Sequence, residues 1–205
     1  MKTNNFLNGT ISDLGKMDIY LIDQIQKGRV NADSKILDAG YGRGRNLEFF
    51  VKHNANIYGI DHNPEYGPIV RDQIAKWNPD FPLSRIITGR VEDMPYSDGE
   101  FDFVSSIAVL HFASSHQHFW NMMKEMLRVL KSGGYLMLRM TSWHTFTLQK
   151  KTINGLIEIA DGPRYMLDIE DLKGFINDNK LKLSDPIKTT NVDGLRTMTT
   201  VVLQK

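Results

Sequence analysis

The sequence predicts an α/β fold: a doubly wound, mostly parallel sheet of seven strands with an antiparallel C-terminal hairpin. Three observations predict it. Strand-like apolar runs alternate with helix-period stretches across residues 35–141, and that alternation calls for a parallel sheet covered on both faces. The first run, Lys35 to Ala39, ends in an acid and then glycines at 40, 42 and 44 before the chain turns helical. Strand, glycine turn and helix in that order open a nucleotide-binding βαβ unit. The last two runs, about 181–189 and 196–203, have no helix between them, so they are expected to pair antiparallel at the sheet edge.

Each element has its own signal. Leu14, Met17, Leu21, Ile22 and Ile25 keep a helical period from Ile11 to Ile25, and Gly28 is the expected stop. This leader either covers the ligand site or merely the sheet. Strand one is 35–39, and a helix from about Arg43 to His53 turns Leu47, Phe50 and Val51 inward. Strand two is 57–61. Asn63 is the expected cap of the next helix, with Pro64 at its first position and Gly67-Pro68 interrupting it, so that 69–77 is its useful part. Strand three is 85–88 and strand four 101–107. A helix over 115–130 buries Phe119, Met122, Met123, Met126, Leu127 and Leu130, and Gly133-Gly134 separates it from strand five at 135–140. Helices are expected at 146–160 and 169–179.

A chain of 205 residues with 41% hydrophobic residues suits one domain with a sizeable core. Its expected parts are an N-terminal helical cap (1–30), a ligand-binding core (35–141) and a segment of substrate-side helices and terminal hairpin (142–205). A net charge of +1 provides no electrostatic footprint for nucleic acid. No apolar stretch has the length of a membrane span, and the first ten residues lack the apolar core of a signal peptide. The expected location is cytoplasmic. The absence of cysteine excludes disulfides and thiolate metal sites.

The motifs sharpen the reading. Asp61 closes strand two 23 positions after Asp38, near the spacing of about 20 residues at which an acid reaches a ribose. Val91-Glu92-Asp93-Met94-Pro95-Tyr96 follows strand three, and Leu130-Lys131-Ser132-Gly133-Gly134-Tyr135 precedes strand five. In order and spacing this set resembles the class I S-adenosylmethionine (SAM)-dependent methyltransferases over about residues 35–141. The resemblance implies a Rossmann-like sheet, SAM as cofactor and S-adenosylhomocysteine as product. It also implies roles for the matching positions. Asp38 faces the cationic methionine end, Gly40, Tyr41 and Gly42 form the turn, and Asp61 holds both ribose hydroxyls. His62 and Val91 border the adenine, and Ile107 floors the site. Where the family often places an acid or amide for the adenine amino group, this chain has Arg90. Arginine has only donors, so Glu92 or Asp93 is expected to supply that bond, with Arg90 facing solvent or an acid.

A dinucleotide site is the nearest rival. Its glycines run Gly-x-Gly-x-x-Gly before a pyrophosphate; here the third glycine comes one residue early, and Asp38 would repel a pyrophosphate. The alternatives kept open are a SAM-binding regulatory protein without catalysis and an NAD-dependent oxidoreductase.

Methyl transfer from a sulfonium needs alignment and exclusion of water more than acid–base groups, and the sequence contains no recognisable triad. A small-molecule methyl acceptor is expected, without nucleic acid or membrane partners. His111, just past strand four, is the first substrate-side candidate. Arg139 is a charge inside an apolar strand and needs a partner, either an internal acid or an anionic substrate. Trp143, His144, Arg164 and Tyr165 are further pocket candidates. His111, His116 and His118 crowd one region, but no acid or thiolate motif accompanies them, so no metal is expected.

Overall fold

The computed structural model of the chain describes residues 11–143, 156–159, 162–193 and 196–205. Its main sheet is formed by β1 (Lys35–Ala39), β2 (Asn56–Asp61), β3 (Ile86–Thr88), β4 (Phe101–Ile107), β5 (Leu130–Thr141), β8 (Lys182–Leu183), β9 (Lys188–Val192) and β10 (Arg196–Gln204). The spatial order is β3-β2-β1-β4-β5-β10-β8, and β9 lies on the same edge of β10 as β8. Strands β1 to β5 run parallel and β10 runs antiparallel to β5. Strand order reverses between β1 and β4, the place where such sheets bind ligands at their carboxyl ends.

Two apolar layers cover the sheet. One packs α4 (His116–Val129) and α5 (Ile169–Asp178) against Leu37, Val104, Leu136 and Leu138. The other packs α1 (Ile19–Gln26), α2 (Leu47–Lys52) and α3 (Tyr66–Trp77) against Ile36, Ile57, Phe103 and Met137.

The leader departs from the expected single helix. A 3-10 turn, Ile11–Leu14, stops at Gly15, whose φ of +54° no helix continues through. Asp18 then caps α1, accepting from the Tyr20 N–H at 3.0 Å. Leu21 and Ile25 are buried beneath it, each contributing about 1.5–3 kcal/mol. Gly28, at φ +72°, ends α1 as expected: its N–H and that of Arg29 turn back to Ile25 and Gln24 carbonyls.

Helix α2 starts later than expected, at Leu47, because Gly44 holds φ +81°. Helix α3 starts after Pro64, at Tyr66, and runs through Gly67-Pro68 without interruption, because both sit in its first turn, where proline's missing N–H has no partner to lose. The Asn63 side chain accepts from Glu65 N and closes the turn ahead of α3 instead of capping the helix. Ser115 caps α4, and the chain passes from Val129 straight into β5. Gly133 and Gly134 therefore lie within that strand. A Cβ on Gly134 would come within 2.9 Å of the Asp102 carbonyl.

The helix expected at 146–160 falls mostly outside the described residues. The part described, β6 (Leu156–Ile159), is a strand paired antiparallel with β7 (Gly162–Tyr165). Cross-strand pairing with Tyr165 and Arg164 overrides the helix-period reading. The run expected as one strand from 181 to 189 is divided into β8 and β9. Pro186 lies between them and has no N–H for a ladder.

Candidate active site at the carboxyl ends of the strands

The glycine turn after β1 is fastened to β2. Gly40 N and Tyr41 N both donate to the Ile60 carbonyl, at 2.7 and 3.3 Å. Gly42 N donates to Asp61 Oδ2 at 2.8 Å, and Asn63 N donates to Asp61 Oδ1 at 2.9 Å. Each carboxylate oxygen is thus oriented by one backbone donor and keeps a further lone pair. Gly40 has φ +92°, and a Cβ there would collide with the side chain of Val109, which crosses over it from the loop after β4. Gly42, at φ +54°, borders open space.

Asp38 is buried one strand away. Its Oδ1 accepts from the Ser105 hydroxyl at 3.0 Å, and its Oδ2 has no partner among the described residues. Burial pushes its carboxyl up to about 6; Ser105 and Arg45 oppose the shift, and the charges of Asp61 and Asp18 add to it. A buried carboxylate with one oxygen unmatched is costly unless a cation or donor arrives.

Val91 and Ile107 are buried, Val91 in the apolar layer that holds Ala39 and Ile60 and Ile107 in the layer that holds Tyr41. The loop after β3 is clamped by Arg128, whose guanidinium donates to the Met94 and Tyr96 carbonyls, while Glu125 accepts from Met94 N. Glu92 meets Arg90 at 3.4 Å and His118 Nε2 at 3.3 Å. Burial raises the Glu92 carboxyl, but its own backbone N–H, His118 and Arg90 outweigh it and hold it below the usual range. The His118 Nδ1 accepts from Ser114 N, so Nε2 carries the proton that faces Glu92. Arg90 is 76% exposed and points outward.

Residues 37–138 match the family model of the methyltransferase domain. The chain carries a methyltransferase domain over these residues. It is similar to an uncharacterized methyltransferase of Synechocystis, 27% identical over 109 residues, covering 53% of this chain and 48% of that protein. The chain thus spans about half the length of that curated relative or less in others it matches. Among solved structures, a SAM-dependent methyltransferase from Methanosarcina mazei superposes with a TM-score of 0.71 at 21% identity, covering 88% of this chain and 96% of that one. The 1,6-didemethyltoxoflavin-N1-methyltransferase of Burkholderia thailandensis, with bound 1,6-didemethyltoxoflavin and S-adenosylhomocysteine, does so at 0.65 and 15% identity, covering 90% and 75%. At these identities the likeness to solved structures establishes the fold.

The methyltransferase reading meets the geometry unevenly. Asp38, Gly40, Gly42 and Asp61 come together as the sequence expects. Tyr41 does not offer its ring to a ligand. The ring is buried beneath the turn against Gly59, where a Cβ would stand 2.8 Å from it, and only its backbone borders the site. His62 is 78% exposed beside Asp61, at 3.7 Å.

On the substrate side, His111 is buried and its ring tilts against Phe112 at 4.5 Å. Arg139 finds an internal acid: Nη1 donates to Asp18 Oδ2 at 3.3 Å. Trp143 is half-buried, its backbone N–H donating to the Leu167 carbonyl. Arg164 lies over the Phe112 ring at 4.5 Å. Tyr165 stacks on Phe119 and shares a hydrogen bond with His116 Nδ1 at 2.9 Å. His144 lies outside the described residues. The three neighbouring histidines thus serve different partners, and no group of three or more His, Asp or Glu among the described residues could hold a metal ion.

Asp18, Arg45, Asn46 and Ser105 were not singled out from the sequence as site residues. Asp18 N donates to Asn46 Oδ1 at 3.1 Å, and Arg45 reaches Asp18 Oδ2 at 3.3 Å. The cap position of Asp18 ahead of an apolar helix was a readable signal; its ion partners were not. A separate cleft of about 940 Å³ opens at the amino ends of β1, β4 and β5, beside Arg29, Ser34, Asp102 and Lys131. Its cations are already paired, Arg29 with Asp185 and Lys131 with Asp102. No described helix is long and apolar enough to cross a membrane.

Proposed function

We propose that the protein transfers a methyl group from SAM to a small-molecule methyl acceptor. The observation that carries this is the pair of strand-end carboxylates. Asp61 is held open by two backbone N–H groups and suits two vicinal hydroxyls, while Asp38 keeps a buried oxygen for a cation. A nucleoside with a positively charged tail matches both, and a dinucleotide pyrophosphate would be repelled by Asp38.

When bound, the cofactor supplies a methyl group already activated on a sulfonium. The residues of this chain then have three tasks. Asp61 and the loop around Val91 and Glu92 hold the nucleoside. Asp38, with Ser105 behind it, holds the positive end. The crossing of Val109 over Gly40 and the packing of His111 exclude water from the end of β4. Alignment of this kind accounts for most of what such a transfer requires.

Titration calorimetry with SAM, S-adenosylhomocysteine and NAD tests the binding half. Both sulfur nucleosides are expected to bind and NAD is not; NAD binding alone would sink the reading. Release of labelled methyl from SAM onto a panel of small acceptors separates an enzyme from a SAM-binding protein without turnover.

A further inference from the structure

We propose that the methyl acceptor carries an anionic oxygen group, a carboxylate or a phosphate, seated between Arg139 and Thr200. The proposal rests on the methyltransferase reading and names the substrate class for its site.

Position comes first. Arg139 is paired in register with Ile107, the last residue of β4, and its carbonyl accepts from Ala108 N at 2.8 Å. Alternation along β5 puts Arg139 on the same face as Met137, which packs with Ile36, Phe103 and Ile107. Asp38 and Ser105 are on this face too, bonded to each other. From β1 to β5 is two strand spacings, about 10 Å. A molecule receiving a methyl group beside the end of β4 therefore has Arg139 within reach.

Charge comes second. Arg139 and Arg45 both approach Asp18 Oδ2, each at 3.3 Å, while Asp18 Oδ1 accepts from Tyr20 N. Elsewhere the ion pairs are tighter, such as Arg29 with Asp185 and Lys35 with Glu100 at 2.6 Å. One carboxylate is divided between two guanidinium groups. Lys188 lies near the same Tyr20 ring, with Arg139 5.3 Å and Lys188 5.7 Å from its centroid, and is itself paired with Asp23 at 3.2 Å. An anion entering here meets two guanidinium groups that share a single carboxylate.

Unmatched donors come third. Only the Nη1 of Arg139 reaches Asp18; its Nε is buried with no partner among the described residues. Thr200 is the direct cross-strand neighbour of Arg139 in β10, is 3% exposed, and has a hydroxyl equally without a partner. Cross-strand neighbours share a face. A guanidinium N–H and a hydroxyl side by side, both unmatched, suit one oxyanion. The hydrogen bonds of an ordinary structural arginine would be complete.

The test uses the full chain saturated with S-adenosylhomocysteine. Benzoate, phenyl phosphate and benzyl alcohol are titrated while the Arg139 Nε–H resonance, assigned by its loss in Arg139→Lys, is followed. One or both anions are expected to move it saturably and benzyl alcohol is not, and the tighter anion distinguishes carboxylate from phosphate. Thr200→Val, which leaves Asp18 untouched, is expected to weaken the effective anion about fivefold or more. In turnover, Arg139→Gln is expected to raise KM for acidic methyl acceptors about tenfold relative to their amides, with S-adenosylhomocysteine affinity unchanged. An Nε–H signal unmoved by both anions in the S-adenosylhomocysteine complex would overturn the proposal. Failure of S-adenosylhomocysteine to bind at all would instead overturn the methyltransferase reading.

Discussion

Asp38 sets stability against binding. Its buried carboxyl is raised from 3.8 to about 6, so the folded chain holds a proton that the unfolded chain has released. Its contribution is therefore most favourable below pH 3.8 and is lost as pH rises through about 6, a loss on the order of 3 kcal/mol. Asp38→Asn is expected to raise the unfolding free energy of the free protein at pH 8, with the gain vanishing near pH 4, as read by urea titration at both values. The same change is expected to weaken SAM binding, and wild-type affinity is expected to fall as pH drops below about 6. A variant no more stable than the wild type at pH 8 would contradict the burial argument. Asp61→Asn puts an amide N–H₂ against one of two backbone donors, Gly42 N or Asn63 N. Calorimetry is expected to show SAM affinity reduced by roughly 1.5–3 kcal/mol. Arg90→Ala, by contrast, is expected to change that affinity by no more than about twofold, because an exposed pair with Glu92 contributes little.

The leader helix is the element whose role changed most between sequence and structure. Asp18 anchors its amino end to Arg45, Asn46 and Arg139. Lys27 and Arg29 anchor its far end to Asp185, between β8 and β9. Burial raises the Asp185 carboxyl, but Arg29, Lys27 and Gln24 outweigh it and hold it well below the usual range. Such a group stabilises the fold above pH 3.8, and the benefit disappears as pH falls through the lowered value. Asp185→Ala is therefore expected to cost about 1–3 kcal/mol at pH 7 and less at pH 3, measured by denaturant unfolding. The elements of the nucleotide half were legible because each has a local cause. Apolar periods mark α1, α2 and α4 and Gly28 stops α1 as read, whereas Gly15, with Asp18 as the cap, and Gly44 set the starts of α1 and α2 where the apolar period gave no sign of them. The strand at 156–159 was not legible, because its partner and not its own pattern decides its conformation.

At the scale of the whole molecule, cofactor binding and folding are linked. S-adenosylhomocysteine at 100 times its Kd is expected to add about 2.7 kcal/mol and to raise Tm by roughly 5–10 °C for a domain of this size. NAD at the same concentration is expected to leave Tm where it was, and differential scanning fluorimetry reads both. The doubly wound sheet places Asp38, Gly42 and Asp61 at neighbouring strand ends, so a ligand touching all three bridges β1 and β2. Binding there opposes opening of the sheet's centre and is felt globally.

The chain's own order of residues determined the parallel core, the glycine turn and the two strand-end acids, since each depends on contacts within a few residues or on a spacing the βαβ unit imposes. Tertiary structure alone decided that Arg139 meets Asp18 across 121 positions, that the Tyr41 ring turns inward, and that Thr200 stands beside Arg139 with its hydroxyl unmatched. The reason is physical: a local pattern fixes which face a side chain takes, but its partner is set by packing between distant segments, and no periodicity records that.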